Sequence, residues 1–269
     1  MATKSGESKE SNTICFGPAG LGPLKDAISN LEQYHKLGLS ACEIAFTYGV
    51  YINNEKDANQ IRETAQRLGI KLSIHAPYYI NLNSKEKKKI QDSKKRILDC
   101  CRIGEALGAY RVVFHAGFFG GMDKEKTYEN IKREINDIMK EIRQNRWKIK
   151  IAPETMGKIN VFGSIEEISG LVQDTGCSFC IDFAHILARD KEVDYKKINK
   201  LFGQHNEWHC HFSGIEYNEK GERKHIKTPK EKLKELISSL PKDKKIVIIN
   251  ESPDMIQDSV EGLKIYNKK

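Results

Sequence analysis

The segment CSFCIDFAH, residues 177–185, is a short apolar run that ends in a carboxylate, Asp182, with an imidazole, His185, three residues further on. Apolar runs of this length are typical of strands that are buried on both faces of a parallel sheet. One acid and one histidine at the end of such a strand can arise by chance. The ends of the other predicted strands therefore decide how the chain is interpreted.

Eight runs of this kind alternate with longer amphipathic segments. The predicted strands are Thr13–Gly17, Ala41–Phe46, Lys71–His75, Arg111–His115, Lys148–Ala152, Cys177–Asp182, Glu207–Phe212 and Lys245–Asn250. Apolar spacings of three and four predict the helices Leu24–Leu37, Asp57–Leu68, Lys85–Leu107, Tyr128–Ile142, Ser164–Val172, Tyr195–Leu201, Thr228–Leu240 and Asp254–Tyr266.

An unbroken series of β/α units predicts an α/β fold, a single (β/α)8 TIM barrel. An open, doubly wound sheet is the alternative. Its phosphate loop would follow the first strand, but GPAGLG at residues 17–22 lacks the required glycine spacing. We therefore expect a polar N-terminal tail over residues 1–12 and one catalytic barrel domain over residues 13–269.

Composition limits the classes of protein that the chain can belong to. No apolar run approaches the roughly 20 residues that a membrane helix needs, and the first residues lack the apolar core of a secretory signal. The seven cysteines are an odd number, which favours a reducing compartment over a disulfide framework. We therefore expect a cytoplasmic protein that has no membrane partner.

The chain is basic, with a formal net charge of +8. A basic surface raises the local concentration of a polyanion and speeds its encounter with the protein. Lysine- and glutamate-rich helix faces that serve only solubility would give the same composition. Charge therefore permits a nucleic-acid partner but does not establish one.

Six consecutive predicted strands end at, or just before, a histidine or an acid. In chain order these residues are His75, His115, Glu154, Asp182 with His185, His209 or His211, and Glu251. The carboxyl ends of barrel strands form one ring, so these side chains are expected to converge. A lone histidine or acid at such a position is more often packed or capping a helix, but several together are costly to bury without counter-charge. A divalent cation supplies that charge, and histidine with carboxylate suits zinc, manganese or iron.

The number of ligands indicates more than one ion. One ion would be satisfied by Glu154, Asp182, His211 and Glu251. The remaining histidines would then be surplus, namely His75, His115, His185 and His225. Two ions roughly 4 Å apart clamp phosphoryl oxygens and activate water at neutral pH, which favours phosphate-ester hydrolysis. A single-ion sugar isomerase or epimerase, and a non-catalytic metal-stabilised binding barrel, remain alternatives.

These strand ends resemble the endonuclease IV family of abasic-site endonucleases (AP endonuclease family 2), within the xylose-isomerase-like TIM barrel superfamily. The resemblance spans nearly the whole chain. Its most specific segments are HAPYYINL (75–82), FHAG (114–117), PET (153–155), IDFAH (181–185) and NESP (250–253). It implies a monomeric zinc enzyme, with manganese as a substitute metal. It also implies incision of double-stranded DNA on the 5′ side of an abasic site, leaving a 3′-hydroxyl and a 5′-deoxyribose phosphate.

The resemblance also implies a role for each residue in a three-zinc centre. The first ion would be bound by His75, His115 and a bridging Glu154; the second by Glu154, Asp182, His211 and Glu251; and the third by His185 with His225. Glu154 would in addition position the attacking water as the catalytic residue. The resemblance selects His211 rather than His209 as the ligand from the seventh strand. Tyr78 and Tyr79 would enter the DNA minor groove at the lesion.

The sequence departs from the family pattern in two loops. The family has Asp-x-His after the seventh strand, whereas GERKH at residues 221–225 places Arg223 where the acid belongs and Glu222 one residue earlier. Either Glu222 substitutes through a shifted backbone, or the third site is weak. Residues 47–51, TYGVY, lack the basic or glutamine-containing DNA-contact segment that the family often has there. Glu43, within the second strand, is interpreted as a structural carboxylate rather than a ligand.

Overall fold

The strands of this chain are short and almost continuously apolar, as suits a sheet that is covered on both faces. A computed structural model describes residues 14–268, so the predicted tail over residues 1–12 lies outside the described residues. The strands are β1 (Ile14–Pro18), β2 (Ala41–Ala45), β3 (Lys71–His75), β4 (Arg111–Phe114), β5 (Lys150–Pro153), β6 (Ile181–Asp182), β7 (Glu207–Phe212), β8 (Gly214–Asn218), β9 (Gly221–Ile226) and β10 (Lys245–Asn250). The β8–β9 pair is an antiparallel hairpin, and the other strands pair in parallel.

Two sets of four parallel strands close into one barrel. One set has the order β2-β3-β4-β5 and the other β1-β10-β7-β6. At the seams, the Cys180 N–H donates to the Pro153 carbonyl and the Ser40 N–H to the Phe16 carbonyl, both at 3.1 Å. Gly17 permits the second seam, because a Cβ there would lie 1.8 Å from the Ala41 carbonyl oxygen. The predicted (β/α)8 TIM barrel is confirmed.

Helices cover the outside of the barrel. They are α1 (Ala27–Lys36), which follows a short 3-10 turn at Leu24–Asp26, α2 (Glu55–Leu68), α3 (Lys87–Leu107), α4 (Lys124–Gln144), α5 (Ile165–Thr175), α6 (Phe183–Asp190), α7 (Tyr195–Phe202), α8 (Lys230–Ser239) and α9 (Met255–Asn267). Each turns an apolar stripe toward the strands, and residues such as Leu31, Ile97 and Ile135 are fully buried there. Within residues 14–268, no helix is long and apolar enough to cross a bilayer.

Local sequence signals fix several helix ends. Ser164 and Glu167 form a capping box at the start of α5, in which each side chain bonds the backbone N–H of the other residue. Gly69 and Gly108 end α2 and α3 in the left-handed conformation, with φ of 67° and 65°. These signals return the chain to β3 and β4, so that both strands enter the barrel in the same direction.

Small apolar side chains fill part of the barrel interior, and polar side chains lie at the carboxyl ends of the strands. One buried cluster consists of Cys15, Ala41, Val247 and Ile249, and another of Val113, Ala152 and Cys180. The seven cysteines are all free and buried. Alternate residues of each strand point toward the barrel axis. The histidine or acid at the carboxyl end of a strand continues this alternation and therefore points into the mouth of the barrel.

Two structural elements were not predicted. Helix α6 begins directly after β6, and the β8–β9 hairpin occupies what was expected to be a loop. The sixth strand is also shorter than predicted, because its pairing with β7 begins only at Ile181. Both elements carry residues of the candidate site described next.

Candidate metal centre

The carboxyl ends of six barrel strands meet around one carboxylate, Glu154. Its Oε2 atom lies 3.1 Å from Nε2 of His75 and 3.2 Å from Nε2 of His115. Its Oε1 atom lies 3.2 Å from Nδ1 of His185 and 3.2 Å from Nδ1 of His211. Glu154 is fully buried, so four imidazoles from four β/α units enclose one carboxylate that solvent does not reach.

This crowding changes the pKa values of the group. Burial alone would raise the pKa of Glu154, but the charge of His211 and hydrogen bonds from His115, His185 and His211 hold it well below its usual range. Burial lowers the pKa of His75, yet its hydrogen bond to Glu154 and the charges of nearby carboxylates together raise that pKa to about 9. Protons and cations therefore compete for the same nitrogen atoms.

Three groups of ligand atoms at the mouth could each hold a metal ion, besides a fully buried set formed by Cys180, His209 and His211. The three groups are His75 with His115 and Glu154; Glu154 with Asp182, His211 and Glu251; and His185 with Glu222 and His225. Within each group the ligand atoms lie within 4.8 Å of one another. Glu154 belongs to two of the groups, so its two oxygens can serve two neighbouring ions.

Asp182 gives a direct test of whether these residues fit a cation. Its Oδ2 atom is buried and accepts no aligned hydrogen bond from any residue in the described part of the chain. A buried carboxylate oxygen without a donor is costly. A divalent ion bound by Asp182, Glu154 and Glu251 would remove that cost, and a set of carboxylates and imidazoles suits zinc or manganese.

Hydrogen bonds on the far side of the rings orient three of the histidines. The Nδ1 atom of His75 donates to the carbonyl oxygen of the next residue at 2.8 Å, and Nδ1 of His185 donates to the Thr155 carbonyl at 3.0 Å. The Nδ1 atom of His225 lies 2.7 Å from the Ser213 hydroxyl. These contacts leave Nε2 of His75 facing Glu154 and Nε2 of His185 and His225 facing Glu222, while Nδ1 of His185 also lies 3.2 Å from Glu154 Oε1.

The β8–β9 hairpin supplies the acid of the third ligand group, which the sequence analysis could not assign to one residue. Glu222 Oε2 lies 3.5 Å from Nε2 of His185, and its Oε1 lies 3.9 Å from Nε2 of His225. Glu216 and Tyr217 of β8 pair with Lys224 and Glu222 of β9, so the register shifts and Arg223 is the extra residue beside Glu222. The structure thus brings Glu222, not Arg223, to the two histidines of the third group.

Asp182 also explains why strand β6 stops where it does. Its Oδ1 atom accepts a hydrogen bond from the backbone N–H of His185 at 2.8 Å and so caps the first turn of α6. One short segment therefore carries a member of the second ligand group and a member of the third.

Tyr78 and Tyr79, the predicted DNA contacts, lie at the same mouth. Their exposures are 59% and 61%, which is high for aromatic side chains. The Tyr78 ring centroid lies 6.0 Å from that of His115. A cavity of about 230 Å³ beside the centre is lined by residues that include Tyr78, His75, His225 and Glu251. The Tyr78 ring therefore lies beside the first ligand group, and Tyr79 is the exposed residue that follows it.

Glu43, interpreted from the sequence as a structural carboxylate, contacts a histidine of the centre. Its Oε2 lies 2.9 Å from Nε2 of His209, and its Oε1 lies 2.9 Å from Nε2 of His211. An acid in the middle of an apolar strand was the only available signal, and that signal does not reveal the partner. All three side chains are fully buried.

The barrel fold and the ligand groups at its mouth agree with the protein family that sequence comparison identifies. The chain belongs to the xylose isomerase-like TIM barrel family, whose model matches residues 31–264. An uncharacterized protein of Methanocaldococcus jannaschii is 34% identical over 271 residues, covering 95% of this chain and 97% of that protein.

Relatives with named activities are more distant. A probable endonuclease 4 of Mycobacterium ulcerans is 23% identical over 193 residues, or 69% of this chain and 76% of that protein. An apurinic-apyrimidinic endonuclease of Caenorhabditis elegans is 26% identical over 233 residues, or 77% of this chain and 54% of that protein. The resemblance to endonuclease IV drawn from the strand ends is thus confirmed as a sequence likeness.

Solved structures share the fold with several activities. Endonuclease IV from Thermus thermophilus superposes with a TM-score of 0.72 at 20% identity, covering 95% of this chain and 97% of that one. D-Psicose 3-epimerase from Clostridium cellulolyticum gives 0.67 at 12% identity, covering 90% of this chain and 93% of that one. At these identities the likeness establishes the barrel fold alone.

Proposed function

We propose that this protein is a zinc-dependent DNA repair endonuclease that hydrolyses the phosphodiester bond 5′ to an abasic site. The products would be a 3′-hydroxyl and a 5′-deoxyribose phosphate. The observation that carries the proposal is the position of Glu154, which is shared by two ligand groups and lies next to a third. Relatives named endonuclease 4 and apurinic-apyrimidinic endonuclease support the choice of damaged DNA as substrate.

Phosphodiester hydrolysis needs charge neutralisation at several oxygens at once, and several adjacent cation positions match that need. Bound zinc ions would offset the negative charge of the transition state and lower the pKa of a coordinated water. Glu154 would hold two of these ions at a fixed separation and orient the attacking water. His75 and His115 would hold the ion nearest the exposed tyrosines.

The remaining features of the mouth suit a duplex with a missing base. Tyr78 and Tyr79 are exposed beside the ligand groups, and aromatic side chains can fill the space that an absent base leaves. The backbone of this segment is held by Arg96, whose Nη1 donates to the Tyr79 carbonyl at 3.2 Å. The net charge of +8 would favour association with the DNA backbone.

A single-ion sugar epimerase is the second candidate. Glu154, Asp182, His211 and Glu251 form a group that could hold one ion alone, and D-psicose 3-epimerase shares the fold. In that enzyme class one ion polarises a hydroxy-carbonyl and carboxylates move protons. The other two groups, His75 with His115 and Glu154, and His185 with Glu222 and His225, would then serve no purpose, which favours the nuclease.

The decisive experiment incubates zinc-loaded protein with a duplex that carries one abasic site on a labelled strand. We expect a single cut, with product termini identified as a 3′-hydroxyl and a 5′-deoxyribose phosphate. An undamaged duplex of the same sequence and chelator-treated protein serve as controls. Metal analysis on the same preparation should give two or three ions per chain. One ion, together with an uncut abasic duplex, would support the epimerase instead.

A further inference from the structure

His211 faces Glu154 through Nδ1, whereas His75 and His115 face it through Nε2. Its Nδ1 atom faces the ligand groups, 3.2 Å from Glu154 Oε1 and 3.4 Å from Glu251 Oε1. His75 directs Nδ1 to a backbone carbonyl, and His185 holds Nδ1 near both the Thr155 carbonyl and Glu154 Oε1. In the described part of the chain, no carbonyl oxygen accepts a hydrogen bond from Nε2 of His211, which points into the barrel.

The group that meets His211 inside the barrel is Glu43. Its Oε1 atom lies 2.9 Å from His211 Nε2. In the described part of the chain, neither of these two buried atoms makes an aligned hydrogen bond, so the 2.9 Å approach of each to the other is the contact that can satisfy both. The second oxygen of Glu43 accepts from the Ser73 hydroxyl at 2.8 Å and lies 2.9 Å from His209 Nε2. Each carboxylate oxygen is thus next to one imidazole.

The hydrogen-bonding capacity of these groups leaves one consistent assignment of protons. A carboxylate only accepts hydrogen bonds, so Glu43 is satisfied when both rings carry their proton on Nε2. The Tyr110 hydroxyl, 2.6 Å from His209 Nδ1, then donates to that nitrogen. In the same assignment the lone pair of His211 lies on Nδ1, which is the atom that faces Glu154.

The charge of Glu43 also needs compensation. The residue is fully buried, and within residues 14–268 its ion-pair contacts are to the two histidines alone. A buried carboxylate that meets only imidazoles is expensive unless a cation lies nearby. A metal ion on the far side of His211 would supply that cation through the ring.

We propose that Glu43 is a positioning residue of the metal centre: it accepts the Nε2–H of His211 and thereby fixes Nδ1 as the ligand atom for the ion shared with Glu154, Asp182 and Glu251. This inference rests on the proposed metal centre but not on the nucleic-acid substrate. Glu43 itself binds no ion. Outer partners of this kind hold a metal-binding histidine in one tautomer and strengthen its bond to the metal.

The first test is the substitution Glu43→Gln, which keeps the side-chain shape and removes the charge. Competition with a chromophoric chelator should show a roughly 10- to 100-fold weaker affinity for one zinc ion per chain, and the other ions should be unaffected. The visible spectrum of Co²⁺-substituted protein should also change. Glu134→Gln is the matched control, because Glu134 is a buried glutamate on α4 that pairs with Lys94 and Arg133 outside the barrel mouth. Unchanged zinc affinity in a folded Glu43→Gln protein would overturn the inference.

The second test needs no substitution at Glu43. Nitrogen NMR of the zinc-loaded wild-type protein, labelled with ¹⁵N-histidine and assigned with a His211→Gln sample, reports which ring nitrogen carries the proton. We expect Nε2 of His211 to be protonated and Nδ1 to bind zinc. Zinc bound at Nε2 would refute the role of Glu43. Both tests omit DNA, so a failure to cut abasic sites would count against the nuclease proposal and leave the Glu43 result intact.

Discussion

The Nε2 atom of His115 lies 3.2 Å from Oε2 of Glu154, and these two residues follow neighbouring strands of the barrel. The strands fix the contact, because the Glu154 N–H donates to the Phe114 carbonyl at 3.1 Å. The His115 side chain is 22% exposed, whereas that of Glu154 is buried. The imidazole is therefore the accessible member of the pair, and its removal should affect the metal centre more than the core.

Replacing His115 with alanine should abolish incision of an abasic duplex. Metal-ion stabilisation of a developing charge is worth several kcal/mol, so losing one ligand should cost about 100-fold or more in rate. Stability should change by about 1 kcal/mol or less, because the ring is partly exposed. Incision assays and thermal unfolding measure the two effects. His35→Ala is the control, since His35 is an exposed histidine that bonds the Leu68 carbonyl away from the centre. Comparable activity in both variants would contradict the assignment.

Glu222→Ala should remove one ion per chain and leave the others bound. Glu222 lies between His185 and His225, and both histidines would lose the carboxylate that they share. Metal analysis after dialysis measures the change. Arg223→Ala is the matched control on the same strand and should keep the full number of ions. If the arginine variant loses the ion and the glutamate variant does not, the hairpin register described above cannot be the functional one.

Substituting both Tyr78 and Tyr79 by alanine should weaken DNA recognition rather than the chemistry. Stacking of an aromatic side chain on a base is worth about 1–3 kcal/mol, so the apparent affinity for an abasic duplex should fall roughly 10- to 100-fold. Binding titrations and zinc content are the measurements, and zinc content should not change. Tyr217→Ala, at an exposed aromatic residue on the β8–β9 hairpin, is the control. Equal losses in the two proteins would indicate a general surface effect.

Stability and zinc affinity should respond to pH in opposite directions. Burial lowers the pKa of His75, but its hydrogen bond to Glu154 and the nearby carboxylate charges together raise it to about 9. In protein from which a chelator has removed the metal, the protonated His75 ring therefore contributes fully to the free energy of unfolding below the ordinary histidine pKa near 6.5. This contribution is lost as pH rises through 9. Zinc requires the unprotonated ring, so its affinity should rise over the same interval. Denaturant unfolding of the metal-free protein and zinc titrations between these pH values measure how stability and zinc affinity change with pH. If both changed in the same direction, protons and zinc would not compete for the same nitrogen atoms.

Much of the fold could be predicted because each strand combines a short apolar run with a polar residue at its carboxyl end. His75 ends β3, and Asp182 ends β6, as expected from the sequence. Strand ends that form one ring bring distant residues together by geometry alone. The same reasoning explains why Glu154 and Glu251, which lie just past their strands, reach the centre without any local signal of contact.

Three features lay beyond sequence reasoning for physical reasons. Helix α6 begins at Phe183, directly after β6, so its apolar residues continue the apolar run of the strand and no turn residue marks a boundary. The β8–β9 hairpin is largely exposed and lacks the apolar alternation of a half-buried strand. The contact between Glu43 and His209 joins residues 166 positions apart, and nothing near either residue specifies it.

His185 follows Asp182 by only three residues, so ligands of two of the proposed ions come from one short stretch of backbone. Loops around the mouth could lengthen or shorten without altering the separation of those ions. A single residue inserted between Asp182 and His185 would instead rotate the histidine by about 100° around the axis of α6, since an α-helix has roughly 3.6 residues per turn. The tolerance of this barrel to insertion should therefore differ sharply between its loops and this one helical turn.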